Sequence, residues 1–216
     1  AEDILLDIKN FRAIKAEYQI KNIGGEEKQY KMLNDLELSL DQAKILNSYC
    51  KSKNIIFCST AFDIVSLNEL NELNLPFIKI PSGEITNYPF LKEISKMRKS
   101  IVLSSGMSDL KEIKNAIKIL TSGIINKKNI TVLHCNTEYP TPIKDVNLNA
   151  MLTIKNTLNV EVGYSDHTVG TEIPIAAVAL GARVIEKHFT LDRELIGPDH
   201  KASLEPNELI QMVKAI

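Results

Sequence analysis

Six short β-branched runs recur along this chain, their starts roughly 22 to 30 residues apart, and each ends in small or polar residues. They are Ile55–Thr60, Phe77–Ser82, Ile101–Gly106, Ile130–Asn136, Val160–Ser165 and Val184–Phe189. Helical patterns fill most of the intervals. That spacing is the length of a strand-plus-helix unit, and such units in series give a parallel sheet with right-handed crossovers. Two architectures are open to it: a (β/α)8 barrel of TIM type, or an open doubly wound sheet. No G-x-G-x-x-G or P-loop pattern follows any run, which weakens the nucleotide-binding open sheet. Polar residues at the end of every run favour the barrel, which builds its site from several strand ends at once.

The count is six and not eight. A six-stranded barrel closes poorly at the usual strand tilt, and the first 54 or so residues offer no convincing strand. The expectation is one partial (β/α)8 barrel over residues 1–216, lacking the first two strands and starting in the loop after the second. Ser39-Leu40-Asp41-Gln42 is a capping-box pattern that opens a helix with Ala43, Leu46 and Cys50 on one stripe. Ser108 is the expected N-cap of a helix carrying Leu110, Ile113, Ile117 and Leu120. Leu148, Met151, Ile154 and Leu158 repeat the period, and a last helix runs from Pro206 to Ile216. The polar stretch from Ala16 to Asn34, with Gly24-Gly25, reads as a long loop.

Composition narrows the class of partner. The 216 residues carry 26 basic and 27 acidic side chains, a net charge of −1. That balance argues against a nucleic-acid or membrane-surface binder. No apolar run approaches the roughly 20 residues that span a bilayer. Ala1-Glu2-Asp3 lacks the basic start of a signal peptide. Cys50, Cys58 and Cys135 are odd in number with no C-x-x-C spacing, so reduced thiols and a cytoplasmic location are expected.

Strand alternation selects the side chains that enter the barrel. On the last strand Val184, Glu186 and His188 share a face; the strand before it delivers Gly163 and Ser165, then Asp166 and His167 at its end. Two histidines at adjacent strand ends can converge on one divalent cation. From the spacing alone, a pair of hydrogen-bonded structural histidines is the simpler reading. Lys79, flanked by Ile78 and Ile80, must reach an anion or a carboxylate unless it lies on a solvated edge. Ser82-Gly83-Glu84, Ser104-Ser105-Gly106 and Ser59-Thr60 end neighbouring strands, and such clusters let backbone N–H groups approach an anion. His134 shares parity with Asn136 and reads as a core histidine hydrogen-bonded within the barrel. His200 reads as a solvated loop residue. Cys135 is expected to pack against a helix without an activating base, and Met107, Met151 and Met212 to fill core.

Longer strings carry a resemblance. Phe77–Glu84, His134–Pro142, Gly163–Thr168, Ile185–Thr190 and Gly197–Ser203 resemble the sialic acid synthase family, in order, from about Cys58 to the end of the chain. The resemblance implies condensation of phosphoenolpyruvate with an N-acylated amino sugar, giving a nonulosonic acid and phosphate, in bacterial surface-glycan biosynthesis. The sugar is N-acetylmannosamine or a diacetamido-hexose. It implies a divalent metal, manganese or magnesium, on His167 and His188. It implies phosphoenolpyruvate held by Lys79, Ser82, Ser104, Thr60 and Ser165, and a sugar faced by Glu84, Tyr139 and Asp199, with Asn136 beside its N-acyl group. Lys79, Glu84 and His188 are the expected catalytic set. It also implies a homodimer at full length, a C-terminal antifreeze-like domain that this chain lacks, and no turnover by these 216 residues alone. Asn136-Thr137-Glu138-Tyr139 is closer to the legionaminic acid and spore-coat polysaccharide branch, and Ala61 stands where many members have proline. Two competing readings are a Schiff-base aldolase barrel using Lys79 and a non-catalytic binding or assembly piece.

Overall fold

The computed structural model describes residue 15, residues 17–23 and residues 29–216. In chain order the elements are α1 (Glu17–Ile23), α2 (Gln29–Leu36), α3 (Leu40–Ser52), α4 (Ile64–Glu72), β1 (Phe77–Ile80), α5 (Tyr88–Ile94) and β2 (Ser100–Ser104). Then come α6 (Leu110–Leu120), β3 (Ile130–Cys135), α7 (Asn149–Leu158), β4 (Glu161–Asp166), α8 (Glu172–Ala179), β5 (Ile185–Lys187) and α9 (Pro206–Ala215). The five strands pair in sequence order, all parallel. This is the expected α/β fold, seen as a curled half-barrel.

The curl follows from one ion pair. In a flat sheet the outer strands of five would lie about 19 Å apart, at ~4.8 Å per step. Yet Lys79 Nζ on β1 lies 3.4 Å from Glu186 Oε2 on β5. Two side chains can meet there only if the sheet bends so that its edges face each other. Register then sorts the faces. Lys79, Ser104, Cys135, Ser165 and Glu186 fall on the concave side. Ile80, Leu103, Val132, Val162 and Tyr164 fall on the convex side and join the core under the helices. Helix α6 supplies Ile113, Ala116, Ile117 and Leu120 to that core, each large aliphatic contributing roughly 1.5–3 kcal/mol by burial.

Several expectations change. Five strands form and not six: Ile55–Thr60 joins no ladder among the described residues, and Ile55 and Ile56 are 62% and 70% exposed. An apolar run is held in a parallel sheet by cover on both faces, and none of the described residues covers these two. The Ala16–Asn34 stretch is not a loop where it is described, because α1 and the start of α2 occupy it. Glu, Gln and Lys there favour helix, while the absence of buried residues in α1 removed the periodic signal. Gly24-Gly25 and the first 14 residues lie outside the described residues.

The capping box of α3 forms as read, with Ser39 and Gln42 bonding reciprocally. Of its stripe only Ala43 is buried. Helix α6 is capped by Asp109 and not Ser108, because Asp109 pairs with Glu112 in a capping box of its own. Met107 is 82% exposed with φ 60, so it is no core filler, whereas Met151 and Met212 are buried.

Candidate active site on the concave face

A chain of polar contacts crosses the concavity. Lys79 Nζ donates to Ser104 Oγ on β2 at 2.9 Å and pairs with Glu186 on β5. Ser165 Oγ on β4 donates to Glu186 Oε1 at 2.7 Å and lies 3.4 Å from His167 Nε2. Four strands thus contribute to one network linking an ammonium group to an imidazole. The Lys79 side chain is only 12% exposed, so it is not a solvated edge lysine. Burial is tolerable because a carboxylate and a hydroxyl share its charge.

The histidine end is built by an unusual turn. Asp166 caps β4 with a carboxylate that is fully buried, accepting from Thr168 N and Thr168 Oγ1, both at 3.0 Å. Lys187 of β5 reaches the same carboxylate at 2.5 Å and the Thr168 carbonyl at 2.5 Å. This buried pair, on the convex side, fixes the backbone that turns His167 inward. His167 Nδ1 then donates to the Asn136 carbonyl at 2.6 Å, which leaves Nε2 with its lone pair free to accept. Burial, followed by the charge His188 would carry, outweighs the Asn136 bond and lowers the His167 pKa to about 4. The ring is neutral near pH 7. His188 lies beside it, ring centroids 5.4 Å apart at 63°, with Nδ1 3.9 Å from Asp199 Oδ2.

Tyr139 covers both imidazoles, 4.0 Å from His167 and edge-on to His188 at 5.5 Å. Burial raises its phenol pKa, so it remains a neutral hydroxyl. Tyr18 of α1 stacks on Tyr139 at 5.5 Å and 23°. Burial, then the Asp199 charge, raises the Tyr18 pKa too.

The serine cluster gathers beside the lysine. Gly106 N–H donates to Ser82 Oγ at 2.9 Å, and that oxygen lies 3.4 Å from Cys135 Sγ. A Cβ on Gly106 would sit 2.7 Å from Thr137 Cγ2 and 2.9 Å from Ser82 Oγ, so any side chain there would push those groups aside. Cys135 therefore faces the concavity and does not pack on a helix; its parity is opposite to that of His134. His134 points to the convex side, its Nε2 2.9 Å from the Val146 carbonyl, outside the barrel interior where it was expected. His200 is not merely solvated: its Nδ1 lies 2.7 Å from Thr190 Oγ1. Asn136 sends its side chain to the Asp145 carbonyl and serves the site through its own carbonyl. Glu84, in the 3-10 turn Ser82–Glu84, accepts from Asn87 Nδ2 at 2.6 Å rather than joining the network. Thr60 is half-buried in the segment before α4.

The structure thus unites Lys79, Ser104, Ser165, His167 and His188, with Tyr139 and Asp199 around the histidines. Glu186, the hinge of the network, was legible only as a residue sharing the face of Val184 and His188 on the last strand. The Asp166–Lys187 pair and Tyr18 carried no such signal: one hides in strand alternation, the other in a helix that buries none of its residues.

The comparisons with known proteins decide the family. Residues 6–216 match the NeuB family. The chain belongs to it. It is similar to the N,N'-diacetyllegionaminic acid synthase of Campylobacter jejuni, 54% identical over 198 residues, which are 92% of this chain and 59% of that protein. The protein of the same name from Legionella pneumophila is 44% identical over 204 residues, 94% of this chain and 57% of that one. A crystal structure of the N-acetylneuraminic acid synthetase of Leptospira borgpetersenii, in complex with citrate, superposes with a TM-score of 0.83 at 36% identity. It covers 97% of this chain and 73% of that structure. The chain spans less than two-thirds of the length of those curated NeuB relatives. A DAHP synthase from Thermotoga maritima, 18% identical with a TM-score of 0.68 over 82% of this chain and 54% of that one, shares the fold.

Proposed function

We propose that the protein, at its full natural length, condenses phosphoenolpyruvate with an N-acylated amino sugar to give a nonulosonic acid and phosphate, for a surface glycan. The carrying observation is the network from Ser104 and Lys79 through Glu186 and Ser165 to His167. It sets an anion cradle and a pair of imidazoles on one concave face. The relatives named as N,N'-diacetyllegionaminic acid synthases favour a diacetamido-hexose over N-acetylmannosamine as the sugar.

His167 and His188 would hold a divalent cation, manganese or magnesium. The donor set fits: one imidazole is neutral, with its Nε2 lone pair beside Ser165 Oγ at 3.4 Å, whose own proton goes to Glu186, and the second ring lies 5.4 Å away, near enough to share an ion. Among the described residues no third His, Cys, Asp or Glu completes a cluster with them. When bound, the cation supplies Lewis acidity to the sugar's aldehyde oxygen. Lys79, Ser104 and Ser82 hold the phosphate and fix the face of the enol that attacks. Tyr139 covers the imidazoles, while Glu84 and Asp199 accept from sugar hydroxyls. The product leaves with phosphate, and no covalent adduct with the protein forms. A Schiff-base lysine works from an apolar or cation-rich pocket; Lys79 instead faces a carboxylate.

No helix among the described residues is long and apolar enough to cross a membrane. We place the protein in the cytoplasm on its three free cysteines, and as a homodimer on its family resemblance. The test is phosphate release from phosphoenolpyruvate with N-acylated hexosamines, with and without manganese. Metal-dependent release that His188→Ala abolishes is the expected result. Release that survives both EDTA and His188→Ala overturns the reading, as does borohydride trapping of a pyruvate adduct on Lys79.

A further inference from the structure

Helix α1 buries none of its residues, yet two of its contacts carry it to the mouth. Tyr18 stacks on Tyr139, and Asn22 Nδ2 donates to the Pro198 carbonyl at 2.7 Å. The first contact joins α1 to the loop after β3, the second to the loop that carries Asp199. Those two loops flank the imidazole pair: Tyr139 contacts both rings, and Asp199 lies 3.9 Å from His188. An amphipathic helix is ordinarily held by a buried apolar stripe; this one is held by an aromatic face and an amide.

We propose that Tyr18, backed by Tyr139, forms the outer wall of the sugar pocket and selects an N-acyl substituent remote from the reacting aldehyde. The inference rests on the phosphoenolpyruvate condensation reading and deepens it. The aldehyde end belongs at the imidazoles and the enol at Lys79. From the imidazoles, the path outward past Tyr139 runs to Tyr18 of α1, and this is the direction assigned to the distal carbons of a hexose. There the half-buried Tyr18 presents a flat apolar ring with a hydroxyl that accepts from Gln19 Nε2 at 3.2 Å. An acetamido group is planar, with an apolar methyl at its tip, and gains by lying on such a ring. A bare hydroxyl at the same carbon gains nothing from it. The pocket discriminates by what it offers the distal substituent, while the chemistry is set elsewhere.

Steady-state kinetics on the full-length protein test this with a diacetamido-hexose and with N-acetylmannosamine, phosphoenolpyruvate varied separately. Tyr18→Ala should raise KM for the diacetamido sugar about five- to tenfold, the range of one aromatic contact. Its kcat and the KM for phosphoenolpyruvate should stay within about twofold, and N-acetylmannosamine should lose little. Tyr18→Phe should behave as the parent. Tyr18→Leu, which keeps bulk without a π-face, serves where the alanine protein is poorly folded, and should show the same selective loss. An unchanged KM for the diacetamido sugar in both variants overturns the assignment, as does equal loss for both sugars. A parent protein that releases no phosphate with either sugar sinks the condensation reading itself, and this inference with it.

Discussion

Removing the Lys187 ammonium while keeping its length, as Lys187→Met, should destabilise the fold by about 3–5 kcal/mol, the usual cost of orphaning a buried charge. The geometry sets that figure. Asp166 is fully buried and Lys187 nearly so, at 0% and 4% side-chain exposure. Once the ammonium is gone, the carboxylate keeps two bonds from Thr168 but no countercharge, and the Thr168 carbonyl loses its donor. One charge-assisted hydrogen bond accounts for about 1.5–3 kcal/mol and the stranded carbonyl for roughly 1–3 more. At this chain size the midpoint of thermal unfolding should fall by on the order of 10 °C. The decisive measurement is a double-mutant cycle by urea unfolding with Asp166→Leu, Lys187→Met and both together. Apolar replacement of both partners removes the stranded charge, so the double variant should be more stable than either single one. If Lys187→Met costs under about 1 kcal/mol, or if the two losses simply add, the pair does not hold the His167 turn as argued.

Three further outcomes follow from the site and its surroundings. Lys79→Met should raise KM for phosphoenolpyruvate about 10- to 150-fold, the equivalent of one charged hydrogen bond, in phosphate-release assays; an unchanged KM would remove Lys79 from the cradle. Gly163→Ala should destabilise by about 1–3 kcal/mol in urea unfolding, because its Cβ would lie 2.3 Å from the Val184 carbonyl oxygen; a neutral effect would contradict the close packing of β4 and β5. Burial holds His134 neutral below its ordinary pKa of 6.5. The unfolded chain therefore takes up a proton first, and the stability present above about pH 6.5 is lost as pH falls below it. Urea unfolding between pH 7 and 5 should show a smaller slope in His134→Asn than in the parent.

The strand-and-helix rhythm was readable because β1 to β5 are apolar toward the helices and polar at their ends. Lys79, Ser104, Ser165, His167 and His188 were readable for the same reason, since alternation assigns faces. What escaped depended on contacts with no period. Cys135 was assigned outward because His134 was read into the barrel; the parity of this strand is the reverse, with Cys135 opposite Ser165 on the concave side. Ile55–Thr60 has the composition of a strand, but a ladder needs a neighbour and cover as well as a sequence. Helix α1 buries none of its residues, so its pattern carries no core stripe, and the Tyr18–Tyr139 stack and the Asn22 bond to Pro198 are contacts that a sequence does not show. The cap of α6 moved by one residue because Ser108 and Asp109 both suit the role, and Glu112 chose between them.

The Lys79–Glu186 contact has a mechanical side. It works as a tie across the open mouth of a bent plate, joining the two outermost strands. A ligand that draws the ammonium toward its own negative charge slackens that tie, and, by reciprocity, whatever straightens the plate weakens the hold on such a ligand. Grip on the phosphorylated partner and bowing of the sheet are therefore one equilibrium, and strain applied at either rim should be felt at the cradle.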